Sequence, residues 1–455
     1  MKTGAIILAA GKGTRMHSRH PKVLHRILNK PILSYVLDSA AREIDMKPVV
    51  VIGHGGEEVR EYFGEGLHYR VQKEQLGTGD AVKVALPALT QEEAVFILCG
   101  DAPLIQGSTL QGMRDQFVSD GYGALVLTAV LPDPAGYGRI IRDGDGSLSR
   151  IVEEKDATPL ERNICEINSG TYLFQRDLLE DALLELRNDN IQGEYYLTDT
   201  LEILRKKGVK VGIYQTSEPR EILGINNRIQ LEEAGGFLRK SINEFWMSRG
   251  VTMEDAATTY IDKDVVLGED VILGPNVTLS GKTRIGDEVE IGSGSIIQDS
   301  IIGAGTVVMH SMIVESSLGE GCKIGPFAYL RPGNELAEGV KVGDFVELKK
   351  AHVGKKSKIP HHSYIGDSQV GAGVNIGAGT ITCNYDGVNK HVTVIEDGAF
   401  IGSNTNLVAP VTVGRDAYIG AGSTITQDVP PGALGLERSK QHTVLNWKGR
   451  SKKDE

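Results

Sequence analysis

Hydrophobic and polar positions are arranged differently in the two halves of the chain. Up to about residue 225, short apolar runs at 4–10, 48–52, 95–99, 124–130, 170–174 and 210–214 predict strands. Between them lie amphipathic stretches, among them 31–44, which has proline at its first helical position, and 178–186. Alternation of strand and helix on this scale predicts an α/β unit with a mainly parallel sheet covered by helices. Residues 226–250 then turn helical and charged and read as a connecting arm.

Beyond Gly250 the helical signal disappears, and an aliphatic residue recurs every six positions. One ladder runs Leu267, Leu273, Leu279, Ile285, Ile291 and Ile297; a second runs Leu318, Ile324, Leu330, Leu336, Val342 and Leu348; a third runs Ile395, Ile401, Leu407, Val413, Ile419 and Ile425. An even period keeps every aliphatic residue on one face of an extended chain, so a flat antiparallel sheet and a hexapeptide parallel β-helix both satisfy it. Glycine and small residues recur where tight corners need them. Asn-Gly, the strongest hairpin signal, is absent from the repeats, and Asp-Gly occurs there only at Asp386-Gly387 and Asp397-Gly398. The pattern therefore favours the β-helix, with each inward residue stacked on its equivalent one coil away. Its main break is 382–394, TCNYDGVNKHVTV, and an insertion in a solenoid must leave the coil as a loop. The divisions are a first domain at 1–226, a helical linker at 227–249, a repeat domain at 250–437 and a tail at 438–455.

Composition narrows the function classes. The surplus of glycine, 56 of 455 residues, is not collagen-like, because it lacks a strict three-residue period with abundant proline. A formal charge of −11 disfavours nucleic acid or an anionic membrane as the main partner, leaving small anions bound by local charge. Cys99, Cys165, Cys322 and Cys383 are widely separated with no CxxC pair, which fits a reducing cytoplasm and neither a disulfide scaffold nor a structural zinc site. No apolar run approaches the ~18 residues of a membrane span, and the expected location is cytoplasmic.

The candidate chemistry begins at 8–16, LAAGKGTRM, directly after the first apolar run. A glycine-rich turn at the end of a strand lets backbone N–H groups approach phosphates, and Arg15 and Lys22 can neutralise their charge. It is not a dinucleotide fingerprint, since Met16 stands at the third glycine position. Nor is there a Walker A loop: the only Gly-Lys-Thr, at 281–283, falls inside the six-residue ladder and has Asn276 where the motif needs glycine. In the repeats, Arg331, Lys349, His361, Tyr364, Asn375, the Asn384-Tyr385 loop, Ser403 and Arg438 form a polar concentration, and 349–358 is basic on an otherwise acidic chain.

LAAGKGTRM followed by Pro21-Lys22 resembles the signature of sugar-nucleotide pyrophosphorylases. So do 72–79 (QKEQLGTG), 99–104 (CGDAPL), 136–139 (GYGR), 151–155 (IVEEK), 166–170 (EINSG), 192–199 (QGEYYLTD) and 224–228 (GINNR). Joined to a hexapeptide helix of this length, the chain to about Arg438 resembles the bifunctional bacterial N-acetylglucosamine-1-phosphate uridyltransferase/glucosamine-1-phosphate acetyltransferase family. The resemblance implies a Rossmann-like nucleotidyltransferase domain, a mixed sheet with flanking helices, followed by a left-handed parallel β-helix. It implies that Leu8, Ala9, Ala10 and Gly11 cradle UTP, that Gln72, Gly77 and Thr78 read uracil, and that Arg15 and Lys22 stabilise phosphate charge. Asp101 and Asn226 would hold Mg²⁺, and Gly138, Glu153 and Asn168 would line the pocket for N-acetylglucosamine-1-phosphate.

For the repeat domain the resemblance implies acetyl transfer from acetyl-CoA to glucosamine-1-phosphate. The reaction needs a base near neutral pH, for which histidine is suited. By residue type His361 and His362 both qualify, and the resemblance places His361 in that role. Arg331 and Lys349 would bind the sugar phosphate with Tyr364, Asn375 and Lys390 nearby, while Asn384, Tyr385, Ser403, Ala421 and Arg438 would contact acetyl-CoA. The family's β-helices associate as homotrimers. A pyrophosphorylase with a purely structural helix and a non-enzymatic scaffold are the rival readings; intact LAAGKGTRM, Lys22, Asp101 and Asn226 oppose the scaffold.

Overall fold

Buried apolar runs cannot end in open solvent, and in the computed structural model, which describes residues 1–447, they become the inner strands of one sheet. Its order is Val211–Gln215, Ala124–Val130, Glu166–Gln175, Ala94–Cys99, Thr3–Ala9, Val49–Ile52, His68–Val71. Thr3–Ala9 pairs in parallel with both Ala94–Cys99 and Val49–Ile52, and Ala5, Ile6 and Ile7 are completely buried there. The sheet is mixed, where the apolar runs alone predict a mainly parallel one. Glu166–Gln175 runs antiparallel to both neighbours, and the hairpin Arg139–Arg142/Leu148–Val152 pairs with it antiparallel. A run buried on both faces encodes no direction, so the hydrophobic pattern cannot carry this difference.

The helix expected at 31–44 stops at Ala40, and the one at 178–186 spans Arg176–Leu184. The arm forms a helix over Arg228–Met247. The chain packs as two compact units, Met1–Leu238 and a second from Arg239 onward, the division falling inside that helix. Among the described residues no helix is long and apolar enough to cross a membrane.

The second unit is a three-sided parallel β-helix. Strands of mostly two or three residues pair in parallel with those one coil later: Leu267 with Ile285, Leu273 with Ile291, Leu279 with Ile297. One face is an eleven-stranded sheet, and the other two connect as a seventeen-stranded one. All three six-step ladders point inward, none of their residues more than 6% exposed. Between the first two ladders the stack continues through Ile302, Val308 and Ile313 with shortened steps, so a side can lose a residue while its inward position stays in register.

A second inward column, which aliphatic counting passes over, stands two residues before each ladder position, as strand alternation requires. It includes Ser295, Ser300, Thr306, Ser311 and Ser316, all buried. Their hydroxyls join successive coils: Ser311 Oγ donates to the Met309 carbonyl at 2.7 Å and accepts the Ala328 N–H at 3.1 Å. Asn334, 1% exposed, does the same with an amide, donating to Ser316 Oγ at 3.2 Å and accepting the Ala351 N–H at 3.1 Å. Glycine after an aliphatic position answers a close approach, since a Cβ on Gly303 would lie 2.5 Å from the Gly319 carbonyl carbon.

The insertion is narrower than the break in the pattern. Thr382 remains inward and pairs with Leu407, Cys383 still pairs with Val408, and the chain leaves the coil only between Cys383 and Thr393. From 438 to 447 the tail has no regular structure, and the rest of the expected tail, 448–455, lies outside the described residues.

Asn334→Leu keeps the branched shape but leaves the buried Ala351 N–H without its acceptor. It should cost about 1–3 kcal/mol, read as a lowered midpoint in urea unfolding; an unchanged midpoint would show that the column contributes nothing.

Candidate active sites

The predicted residues of the first unit gather at the carboxyl ends of its parallel strands, where open α/β sheets bind ligands. Leu8 and Ala9 end the first strand, paired with Val51 and Ile52 on one side, and Leu8 with Cys99 on the other. Ala10 is buried and Gly11 exposed, with nothing within 4 Å of the position of a Cβ. Gly13 is left-handed (φ 59°), and a Cβ there would meet that of Lys22 at 2.8 Å, so this turn and the Lys22 turn lie against each other.

Four of the predicted residues are hydrogen-bonded together. The Lys22 ammonium donates to Asp101 Oδ2 and, at 3.3 Å, to Asn226 Oδ1, which also accepts from Arg15 Nη2 at 2.9 Å. A carboxylate and an amide oxygen therefore converge on the Lys22 ammonium, with the Arg15 guanidinium on the amide oxygen as well. The Ile225 N–H bonds the Asp101 carbonyl at 2.9 Å, holding the Asn226 segment against the end of the Asp101 strand.

Gln72 is buried, its Nε2 donating to the Gly77 carbonyl at 3.0 Å and to Asp80 Oδ2 at 2.8 Å. Gly77 has φ 111°, and a Cβ there would lie 2.6 Å from the Tyr195 carbonyl oxygen, so only glycine fits. Thr78 begins the helix Thr78–Ala85, and its Oγ1 accepts the Leu197 N–H at 3.1 Å.

Gly138, Glu153 and Asn168 form a second cluster. A Cβ on Gly138 would lie 3.5 Å from both Glu153 Oε2 and Asn168 Cβ, and the Asn168 N–H bonds the Gly138 carbonyl at 2.9 Å. Asn168 precedes the irregularity at Gly170, and its Nδ2 donates to the Tyr172 hydroxyl at 2.8 Å. Glu153 accepts from Thr198 Oγ1 at 3.3 Å. Burial pushes its carboxyl above the ordinary range, and Asp199, Asp156 and Glu194 push it further against the Thr198 bond. Burial also raises Asp199 to about 6, helped by Glu202, Asp156 and Asp189. The unit thus presents a cationic cluster and a proton-retaining acidic one, suited to phosphate and to sugar hydroxyls respectively.

In the β-helix, stacking gathers residues from successive coils. His361 Nδ1 lies 2.6 Å from Asp344 Oδ1, 17 residues earlier and directly opposite in the paired strands. This bond holds the Asp344 carboxyl below its usual range. His362 is left-handed (φ 49°), its ring against Phe345 at 6.1 Å between centroids. The two adjacent histidines, alike in sequence, therefore differ: His361 is oriented by a carboxylate and His362 turns a corner. Asp344 is not among the residues the sequence singles out, and its one available signal is its distance of a single coil from His361.

Ser403 and Ala421 turn the same corner as His361 in later coils, and Arg438 Nη1 donates to the Ala421 carbonyl at 2.9 Å. Arg331 and Lys349 stack on a second corner, because Leu330 and Leu348 pair. Arg331 reaches Glu347 at 3.0 Å. Lys390, carried by the inserted loop, lies against Lys349, which pushes its ammonium below the usual range. Two adjoining ammonium groups form a ready anion site. Tyr364 stands on the face between these corners, in register with Glu347. Asn375 stands on the eleven-stranded face, between Lys358 and Phe400. In the loop, Asn384 donates to Asp367, and Tyr385 pairs with Lys390. Asp386 clasps the loop, accepting from the Val388 and Asn389 N–H groups and lying 2.7 Å from His391 Nε2.

Family models match along the chain: the MobA-like NTP transferase domain at 5–189, the GlmU-like C-terminal hexapeptide at 288–373, and the bacterial transferase hexapeptide at 264–299 and 393–427. The chain is 53% identical over 453 residues to the bifunctional protein GlmU of Heliobacterium modesticaldum, covering 99% of both. It is 48% identical to the proteins of that name from Shouchella clausii, over 97% of this chain and 98% of that one, and Clostridioides difficile, over 98% and 97%.

Asp199 retains its proton more strongly folded than unfolded, so it favours the folded state most below its unfolded value. That contribution is lost as pH rises from about 4 through its folded value of about 6. Asp199→Asn should therefore raise the thermal unfolding temperature at pH 7.5 and narrow the difference toward pH 4; a pH-independent difference would remove the assignment.

Proposed function

The chain belongs to the GlmU family of bifunctional transferases, and from that premise we propose which of its residues carry each of two reactions. The β-helix acetylates glucosamine-1-phosphate with acetyl-CoA. The first domain transfers UMP from UTP to N-acetylglucosamine-1-phosphate, giving UDP-N-acetylglucosamine and pyrophosphate. The observation that carries the two-site reading is that each unit holds its own bonded cluster, Lys22–Asp101–Asn226 in one and Asp344–His361 in the other.

In uridylyl transfer a phosphate oxygen of the sugar attacks the α-phosphorus of UTP and pyrophosphate leaves; the demands are alignment and charge neutralisation. The N–H groups beyond Leu8, Ala9, Ala10 and Gly11 face the phosphates, and Arg15 and Lys22 supply positive charge. Gln72, Gly77 and Thr78 read uracil, and Gly138, Glu153 and Asn168 receive the amino sugar. Asp101 and Asn226 would hold Mg²⁺. Their hard oxygens, which here share the Lys22 ammonium, suit it. When bound, the ion neutralises charge on the phosphate oxygens.

In acetyl transfer the amine attacks the thioester carbonyl and the coenzyme A thiolate leaves. With Nδ1 of His361 donating to Asp344, a tautomer assigned from that partner, Nε2 is free to take the proton from the amine and return it to the thiolate. Arg331, Lys349 and Lys390 neutralise the sugar phosphate, with Tyr364 and Asn375 beside it. Asn384, Tyr385, Ser403, Ala421 and Arg438 contact acetyl-CoA. The protein is read as a cytoplasmic homotrimer; the exposed corner stack His310–Phe327–Phe345 supports self-association, its ring centroids 4.7 and 5.4 Å apart.

Mass spectrometry of products from UTP, acetyl-CoA and glucosamine-1-phosphate should detect UDP-N-acetylglucosamine, whereas absence of acetylated sugar would leave a pyrophosphorylase alone. Asp101→Asn should abolish Mg²⁺-dependent pyrophosphate release and spare acetylation, and retained release would remove Asp101 from the site. Asp344→Asn should lower kcat for acetyl transfer on the order of 10²–10⁴-fold in a thiol-release assay, with uridylyl transfer unaltered; wild-type turnover would exclude an orienting role.

A further inference from the structure

Arg139 carries one of the largest fully buried side chains in the protein, 2% exposed, yet it stands on the hairpin strand Arg139–Arg142 close to the acidic pocket. Its guanidinium pairs with Glu154 at 2.8 Å, whose side chain is 34% exposed. It also donates to the carbonyls of Tyr137 and, at 3.3 Å, of Arg162. Its Nε is buried without a hydrogen-bond partner. Judged by stability alone this is a poor use of the position: a buried ion pair is commonly no better than apolar residues of the same volume, and an orphaned N–H adds a penalty.

Direction is what the guanidinium supplies and an apolar residue cannot. Tyr137 immediately precedes Gly138, and Glu154 immediately follows Glu153. Arg162 lies in the short helical turn Glu161–Asn163 beyond Glu153. One rigid planar group therefore ties the carbonyl just before Gly138 to the carboxylate just after Glu153 and to the turn at Arg162. The Arg139 main chain, independently of its side chain, is in strand register with Val152, just before Glu153, and with Ile167, just before Asn168. Gly138, Glu153 and Asn168 thus all neighbour backbone that Arg139 holds.

The geometry points to Arg139, with Glu154 as its counter-ion, as a positioning residue that sets the shape of the sugar pocket and so its affinity for the amino-sugar phosphate, without touching the substrate. This rests on the assignment of Gly138, Glu153 and Asn168 to the sugar. Lysine cannot replace it fully, because one ammonium has no planar fork to serve a carboxylate and two carbonyls together.

The test is steady-state uridylyl transfer by the full chain carrying Arg139→Met, Arg139→Lys or Arg139→Met with Glu154→Met. The double variant leaves no unpaired buried charge, which keeps the experiment readable if the single variant folds poorly. Each should raise KM for N-acetylglucosamine-1-phosphate by about tenfold to 10²-fold, Arg139→Lys least. KM for UTP and acetyl transfer by the same preparations should stay near wild type. A wild-type sugar KM in the double variant would overturn the inference, as would parallel rises in the UTP and sugar KM values with a falling unfolding temperature, which mark general support of the domain. Glu153→Gln is the control on the underlying reading: an unchanged sugar KM there would displace the pocket itself, whatever Arg139 does.

Discussion

In the second unit everything depends on in-register parallel pairing between coils. Each strand passes its N–H and C=O groups to the next, so a residue must lie directly over its equivalent about 4.8 Å away. The inward column must then be filled by side chains that stack, which is why Leu, Ile and Val recur on one line and small residues, Ser, Thr, Val and Ala, on the line beside it. The corners must turn within a residue or two, bringing glycine where backbones nearly touch and left-handed residues elsewhere, Asn, Asp and His among them but also Glu315, Phe345 and Lys356. The same rule makes neighbours of residues about 17 apart in sequence, including Asp344 and His361 or Arg331 and Lys349.

The first unit has a different constraint: strand ends. Parallel neighbours finish on the same side of the sheet, so Leu8 and Asp101 arrive together although they are far apart in the chain. Asn226 comes to them by a backbone bond from Ile225 to Asp101. The bend in Glu166–Gln175 brings Asn168 against Gly138. Cations thus meet at one cluster and acids at another, and the burial that gathers the acids also makes them hold protons.

What the sequence made legible follows from which features carry a period. Eighteen aliphatic positions at steps of six announced the β-helix, and all of them point inward. Ile302, Val308 and Ile313 escaped because shortened sides leave the step of six while keeping the stack. Asp344 escaped because no residue type announces a partner one coil away. The direction of Glu166–Gln175 and the edge strand His68–Val71 were illegible for opposite reasons, one apolar on both faces and the other too exposed to show a pattern. Residue type could not separate His361 from His362; one carboxylate and one corner do so.

The inserted loop lengthens one circuit of the β-helix to 25 residues, against 16 to 18 in its neighbours, yet Thr382 and Ile395 still lie over their partners. The entropy of closing such an excursion grows only with the logarithm of its length, and Asp386 reduces it further by clasping the loop internally. A corner of this prism is therefore a place where chain can be spliced in without re-registering what lies above or below. Chemistry and architecture are inherited separately in such a molecule: new side chains can be tried at a corner while the hydrocarbon column that keeps the prism folded stays untouched.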